Sequence, residues 1–164
     1  MTLYVLIVFL IIVCIWDIKT FEIPPVLVTI GTILGLIMQF IDHGWHGVLS
    51  GLLAYIIVLL ITFAIWAIGE GLFGSSIIGA GDMKLLMIIS IFIGVKLTFI
   101  IFYWSILVAA FLFIFMIHPK EILGLFRHIF SFFVYAIPKP KMSTKKLAFS
   151  VPITLATIYF IFIH

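Results

Sequence analysis

The sequence predicts an all-α integral membrane protein. The expected architecture is a six-transmembrane-helix bundle with a cytoplasmic glycine-rich loop and an interfacial amphipathic helix. Three observations carry this. Of 164 residues, 66% are hydrophobic and only 9% charged, too little polar surface for a water-soluble domain. The apolar residues come in long runs, close to the roughly 20 residues that a spanning helix needs. The few charges stand between the runs, and nearly all the basic ones fall on one side when the runs are read as alternating spans. The length leaves no room for a sizeable soluble domain, so residues 1–164 read as a single membrane domain.

The first span covers residues 3–16 and ends at Asp17-Ile18-Lys19. No basic stretch precedes it and no small-residue cleavage site follows, so it does not read as a cleaved signal peptide. Residues 20–25 break the helix, and Pro24-Pro25 suit the first turn of the next one. The second span covers 26–41. Asp42-His43-Gly44-Trp45-His46 makes a polar turn, and the third span covers 47–68. A loop rich in glycine and serine, holding Glu70, runs from 69 to 81.

The apolar stretch 85–117 is broken only by Gly94-Val95-Lys96 and reads as one overlong helix or as two spans. Charge decides between them. With two spans, Lys19, Lys84, Lys120, Arg127, Lys139, Lys141, Lys145 and Lys146 share a side, and Lys96 alone falls on the other. An excess of Lys and Arg marks the cytoplasmic side, so two spans are expected, with both termini outside. The first of the pair, 85–93, is short, which local thinning of the bilayer can accommodate.

In the segment 119–137, Lys120, Glu121, Gly124, Arg127, His128 and Ser131 fall in one helical arc and apolar residues fill the rest. That pattern predicts a helix lying in the membrane surface. A basic loop follows over 138–146, and the sixth span runs from Leu147 with Pro152 as an expected kink.

The stretch Gly79-Ala80-Gly81-Asp82-Met83-Lys84 concentrates the chemistry. An ionisable residue at the edge of an apolar span is costly and marks a functional site. Glycines Gly79 and Gly81 permit backbone shapes that other residues resist. Of the six acids, Asp42 falls on the opposite face and is excluded as a partner for Asp82. Asp17 shares its side and also abuts an apolar helix. Glu22 is the competitor, while Glu70 and Glu121 sit in wetter positions. Two carboxylates facing each other in a low dielectric cannot both ionise cheaply and share a proton. Such a pair suits amide hydrolysis by general acid–base catalysis. The plainer reading is of helix-end acids paired with Lys19 and Lys84. Residues two apart do not face each other on a helix, however, so these lysines are expected to snorkel or to meet substrate.

With those residues in hand, the chain resembles the type IV prepilin peptidase family of membrane aspartyl proteases. Gly79-Ala80-Gly81-Asp82 followed by Met83-Lys84-Leu85-Leu86 looks like the family's GxGD signature. Asp17-Ile18-Lys19 followed by Ile23-Pro24-Pro25 resembles its first aspartate segment, with Pro25 where asparagine is usual. Phe149-Ser150-Val151-Pro152 resembles the start of its last span. The resemblance implies an enzyme that cuts the short basic leader from prepilins, prepilin-like proteins or preflagellins at the cytoplasmic face. Asp17 and Asp82 would be the catalytic pair. Gly79, Gly81, Lys84 and Lys19 would position the motif and loop. Glu22, Glu70 and Glu121 are the acids available to receive a basic leader. The cysteine-containing loop of the larger, N-methylating members is missing between the first two spans, so a peptidase without N-methyltransferase activity is expected, needing no cofactor and no metal.

The remaining signals are minor. The net charge of +3 reflects membrane topology, and no nucleic-acid partner is expected. Cys14 is the single cysteine, which excludes an internal disulfide and a cysteine-based zinc site; it reads as packing. His43 and His46 read as turn residues, and Trp16, Trp45 and Trp66 as anchors at the bilayer interfaces. The alternative function, from another class, is a small transporter or channel subunit using the same aspartates as proton or cation sites.

Overall fold

The computed structural model describes residues 2–73, 79–116 and 148–163, and every regular element in them is helical. The helices are α1 (Thr2–Thr20), α2 (Pro25–Phe73), α3 (Ala80–Met116) and α4 (Ser150–Ile163). Three of them, α1 to α3, are long and apolar enough to cross a membrane, while α4 is apolar but shorter. The amphipathic segment 119–137, with Glu121, and the basic loop 138–146 lie outside the described residues.

The six separate spans expected from the sequence therefore do not appear as six separate helices. Helical hydrogen bonding runs on where loops were anticipated, and two glycines turn the chain instead. Gly44 lies at φ 62°, ψ −149° within α2, and Gly94 at φ 80°, ψ 170° within α3. This region of backbone space is essentially restricted to glycine. At 49 residues, a straight α2 would be about 73 Å long, far more than the roughly 30 Å of hydrocarbon in a bilayer. It is not straight. A β-carbon on Gly47 would overlap the Gln39 carbonyl, although residues eight apart in a continuous helix stand about 12 Å apart. The two halves of α2 thus double back on each other at Gly44. In α3, Leu86 and Met87 pack with Phe99 and Phe102 across Gly94, which requires the same reversal.

Helix ends also differ from expectation. The first helix does not stop at Asp17 but continues to Thr20. It ends where Phe21 adopts φ 53° and donates its N–H to Asp17 O at 2.7 Å. Pro25 opens α2 as expected, with Pro24 O accepting from Leu27 N at 3.0 Å. The predicted loop over 69–81 does not begin at Gly69, because α2 stays helical through Phe73 and carries Glu70. Pro152 makes no mid-helix kink. α4 begins at Ser150, which puts the proline in the first turn, where no helical hydrogen bond is lost.

In a membrane, helices gain little from hiding apolar surface and associate through close packing. Small residues make this possible here. Gly31 lies beneath the Phe9 ring of α1, and a β-carbon on Gly35 would stand 2.8 Å from Phe92 of α3. The buried centre comprises Leu6, Leu10 and Val13 of α1, Ile23 of the link between α1 and α2, Leu85, Ile88 and Ile89 of α3, and Ile153 of α4. Side chains such as Val8, Ile12, Leu53 and Leu60 point outward and exposed, as lipid-facing residues do. Several buried hydroxyls are satisfied within their own helices, Thr62 by Val58 O and Ser105 by Phe102 O, both at 2.7 Å. Polar groups without water must find such partners.

Candidate active site

Asp17 owes its position to the period of α1. Leu6, Leu10 and Val13 form that helix's buried stripe, and Asp17 is its next member, one turn beyond Val13. Its side chain is buried, at 7% exposure. Lys19, two residues on, points away and is exposed. It borders a shallow groove with Ile12, Ile15, Trp16 and Thr20 on the outside of α1, and does not line the central cavity.

Asp82 belongs to the first turn of α3 and is half-buried. Gly79 stands just before the helix, and its carbonyl accepts from Met83 N at 3.1 Å. A β-carbon on Gly79 would lie 2.9 Å from Asp82 Oδ2, closer than such contacts allow, so glycine is what gives the carboxylate room. Gly81 is different. It is helical, and a β-carbon there would rest in ordinary contact with Ile23 at 3.6 Å. The glycines with left-handed backbone among the described residues are Gly44 and Gly94. The pair in the motif therefore does not supply unusual backbone shape. Gly79 supplies space, and Gly81 meets no such constraint.

Asp17 and Asp82 line one cavity of about 770 Å³, together with Thr20, Phe21, Glu22, Gly79, Gly81, Lys84 and Phe149. Ser150 N, at the head of α4, donates to Asp17 Oδ2 at 3.4 Å. Glu22 reaches the cavity because the Phe21 turn swings residues 21–25 over its mouth. Thr20 Oγ1 ties that turn down, donating to Trp16 O at 3.1 Å and to Glu22 O at 2.9 Å. Lys84 also borders the cavity. Glu70 is exposed on α2 and is not among the lining residues, and Glu121 lies outside the described residues.

Asp42 accepts a hydrogen bond from Thr2 Oγ1, at the opposite end of α1 from Asp17. His43 and His46 are exposed beside it. No cluster of three metal-ligating side chains occurs among the described residues.

Sequence reasoning did not find Ser150 as a neighbour of Asp17. The available signal was a helix-start pattern, a serine two residues before a proline at the head of an apolar run. It locates a helix but not what the helix touches.

Two carboxylates lining one cavity, one of them buried, are groups of the kind that can pass protons to and from a bound molecule. Neither a curated protein nor a solved structure matches this chain. The type IV leader peptidase family matches residues 4–114, which include both aspartates, the Gly79–Lys84 stretch and both glycine turns. With most of its length matched, the chain belongs to the type IV leader peptidase family, a membrane protein of a peptidase family acting on protein substrates.

Proposed function

We propose that this protein removes the leader from a prepilin, a prepilin-like protein or a preflagellin at the cytoplasmic face of the cell membrane, with Asp17 and Asp82 as the catalytic dyad. The observation that carries this is the burial of Asp17 against a cavity whose other wall bears Asp82. The ionised carboxylate takes a proton from water as the water oxygen attacks the scissile carbonyl carbon. The protonated carboxyl donates to the carbonyl oxygen. When the tetrahedral intermediate collapses, the carbon–nitrogen bond breaks and the leaving amine receives a proton from the dyad. No covalent intermediate is required, and no N-methyltransferase activity is expected.

Glu22, at the cavity mouth, is the acid best situated to receive a basic leader. The reversals at Gly44 and Gly94 support six crossings: α1, two halves each of α2 and α3, and α4. In that arrangement Asp17, Glu22 and Asp82 share the cytoplasmic side, Asp42 and Lys96 the other, and both termini lie outside. A transporter using the same acids is less well supported. Asp17 sits in the last turn of α1 and Asp82 in the first turn of α3, whereas transport sites lie near the bilayer midplane.

Co-expression with prepilin-like proteins encoded nearby, scored by the mobility shift of leader removal, tests the assignment. Asp17→Asn and Asp82→Asn should each abolish the shift while the protein still inserts. Processing at the parent rate by either variant overturns it.

A further inference from the structure

A carboxylate as enclosed as Asp17 needs donors. Among the described residues, the donor to its side chain comes from beyond the stretch that the family match covers: Ser150 N–H, buried, 3.4 Å from Oδ2. Ser150 is the first residue of α4. Its amide is one of the four that an α-helix leaves without an internal partner, and such amides carry the positive end of the helix dipole. The Ser150 side chain is not the group engaged. It is 1% exposed, and its Oγ has no hydrogen-bond partner among the described residues. Cys14, one turn before Asp17, stands beside the Ser150 and Thr154 side chains without satisfying that oxygen in ordinary geometry. Thr154 Oγ1 is already committed to Ser150 O at 2.7 Å. The contact to Asp17 is thus a backbone contact, fixed by where α4 starts and by its packing on α1 and α3.

We propose that the Ser150 amide at the head of α4 is a positioning group for Asp17, holding its carboxylate toward Asp82, so that α4 completes the dyad. This rests on the peptidase reading above. Because the donor is an amide, Ser150→Ala leaves it in place and Ser150→Pro removes it. Proline is well tolerated at the first position of a helix, so α4 itself should persist.

Two measurements on the full chain in detergent decide the matter. The first is steady-state cleavage of a prepilin-like substrate that the parent processes. Ser150→Ala should match the parent, while Ser150→Pro should lose about tenfold or more in kcat, the scale of one hydrogen bond to a charged group, with KM unchanged. The second is thermal unfolding as a double-mutant cycle. Ser150→Pro should lower Tm in the parent background and have no effect in an Asp17→Ala background, where no side-chain acceptor remains. Parental kcat in Ser150→Pro, or an equal loss of Tm in both backgrounds, overturns the proposal. If the parent cleaves nothing, the peptidase reading falls by itself, and the unfolding cycle still decides whether the amide holds Asp17.

Discussion

Asp42 and Asp17 stand at opposite ends of α1, about 22 Å apart along its axis, and the same side chain meets two different settings. Asp42 is exposed at a glycine turn and has a neutral hydroxyl, Thr2 Oγ1, as its donor. Asp17 is buried, lines a cavity with a second carboxylate and, among the described residues, accepts one long amide contact at 3.4 Å. The far end of the bundle is built to be satisfied. There Gln39 Nε2 donates to Ile91 O at 2.7 Å and to Phe92 O at 3.2 Å, capping the carbonyls that the Gly94 reversal frees. The near end leaves two acids lining one open volume. An aspartate becomes a catalytic candidate through what it is denied, and that cannot be judged from the residue alone.

The contrast can be broken most sharply at the acids. Asp17→Asn and Asp82→Asn should each lower leader cleavage by roughly 10²–10⁴, the range for a positioned acid or base, whereas Asp42→Asn should leave it unchanged; processing assays on membranes would measure all three. Comparable losses at Asp42 would erase the distinction between the ends.

The next effect lies at the glycines of the near end. Gly79→Ala sets a methyl group against Asp82 Oδ2 and should cost about tenfold in kcat, in line with an overpacking penalty of 1–3 kcal/mol. Gly81→Ala has room against Ile23 and should stay near the parent value. If the two variants behave alike, the space at Gly79 is not what matters.

At the far end the same kinds of change should appear in stability and not in rate. Gly94→Ala forces a side chain into a backbone region reserved for glycine, at about 1–3 kcal/mol. Gln39→Leu leaves two buried carbonyls unpaired, at about 1–3 kcal/mol. Thermal unfolding in detergent should register both, with kcat of the folded enzyme unaltered. The smallest effect is expected from Glu22→Gln, a few-fold rise in KM for a basic leader with kcat retained, the scale of one exposed charge pair; an unchanged KM would remove Glu22 from leader binding.

Much of this molecule was legible in its residues. The apolar runs announced helices for a membrane, and Pro24-Pro25 marked the start of α2. Asp82 between an apolar span and a glycine-rich stretch declared itself by cost alone. Charge counting put Asp17 on the same side as Asp82 and Asp42 on the other, and the cavity and the Thr2 hydrogen bond agree with that division. The turns were harder to read. Asp42 to His46 read as a polar turn, and the chain does turn there, but through one glycine in a rare backbone conformation with its flanks still helical. Pro152 looked like a kink because the helix was expected to begin three residues earlier. Glu70 looked like a loop acid and instead rides on α2, away from the cavity.

Composition and hydropathy are local properties, and they sufficed for the long apolar helices. What packs against the buried stripe of α1 is not local. Ser150 is 133 residues from Asp17 in sequence, and no periodicity links them. Only the docking of α4 onto α1 and α3 brings its first amide to the carboxylate, and only the Phe21 turn brings Glu22 to the cavity. Which glycine supplies space and which merely fits likewise depends on atoms from other parts of the chain: Asp82 Oδ2 for Gly79, Ile23 for Gly81. Those distances exist only once the helices are assembled.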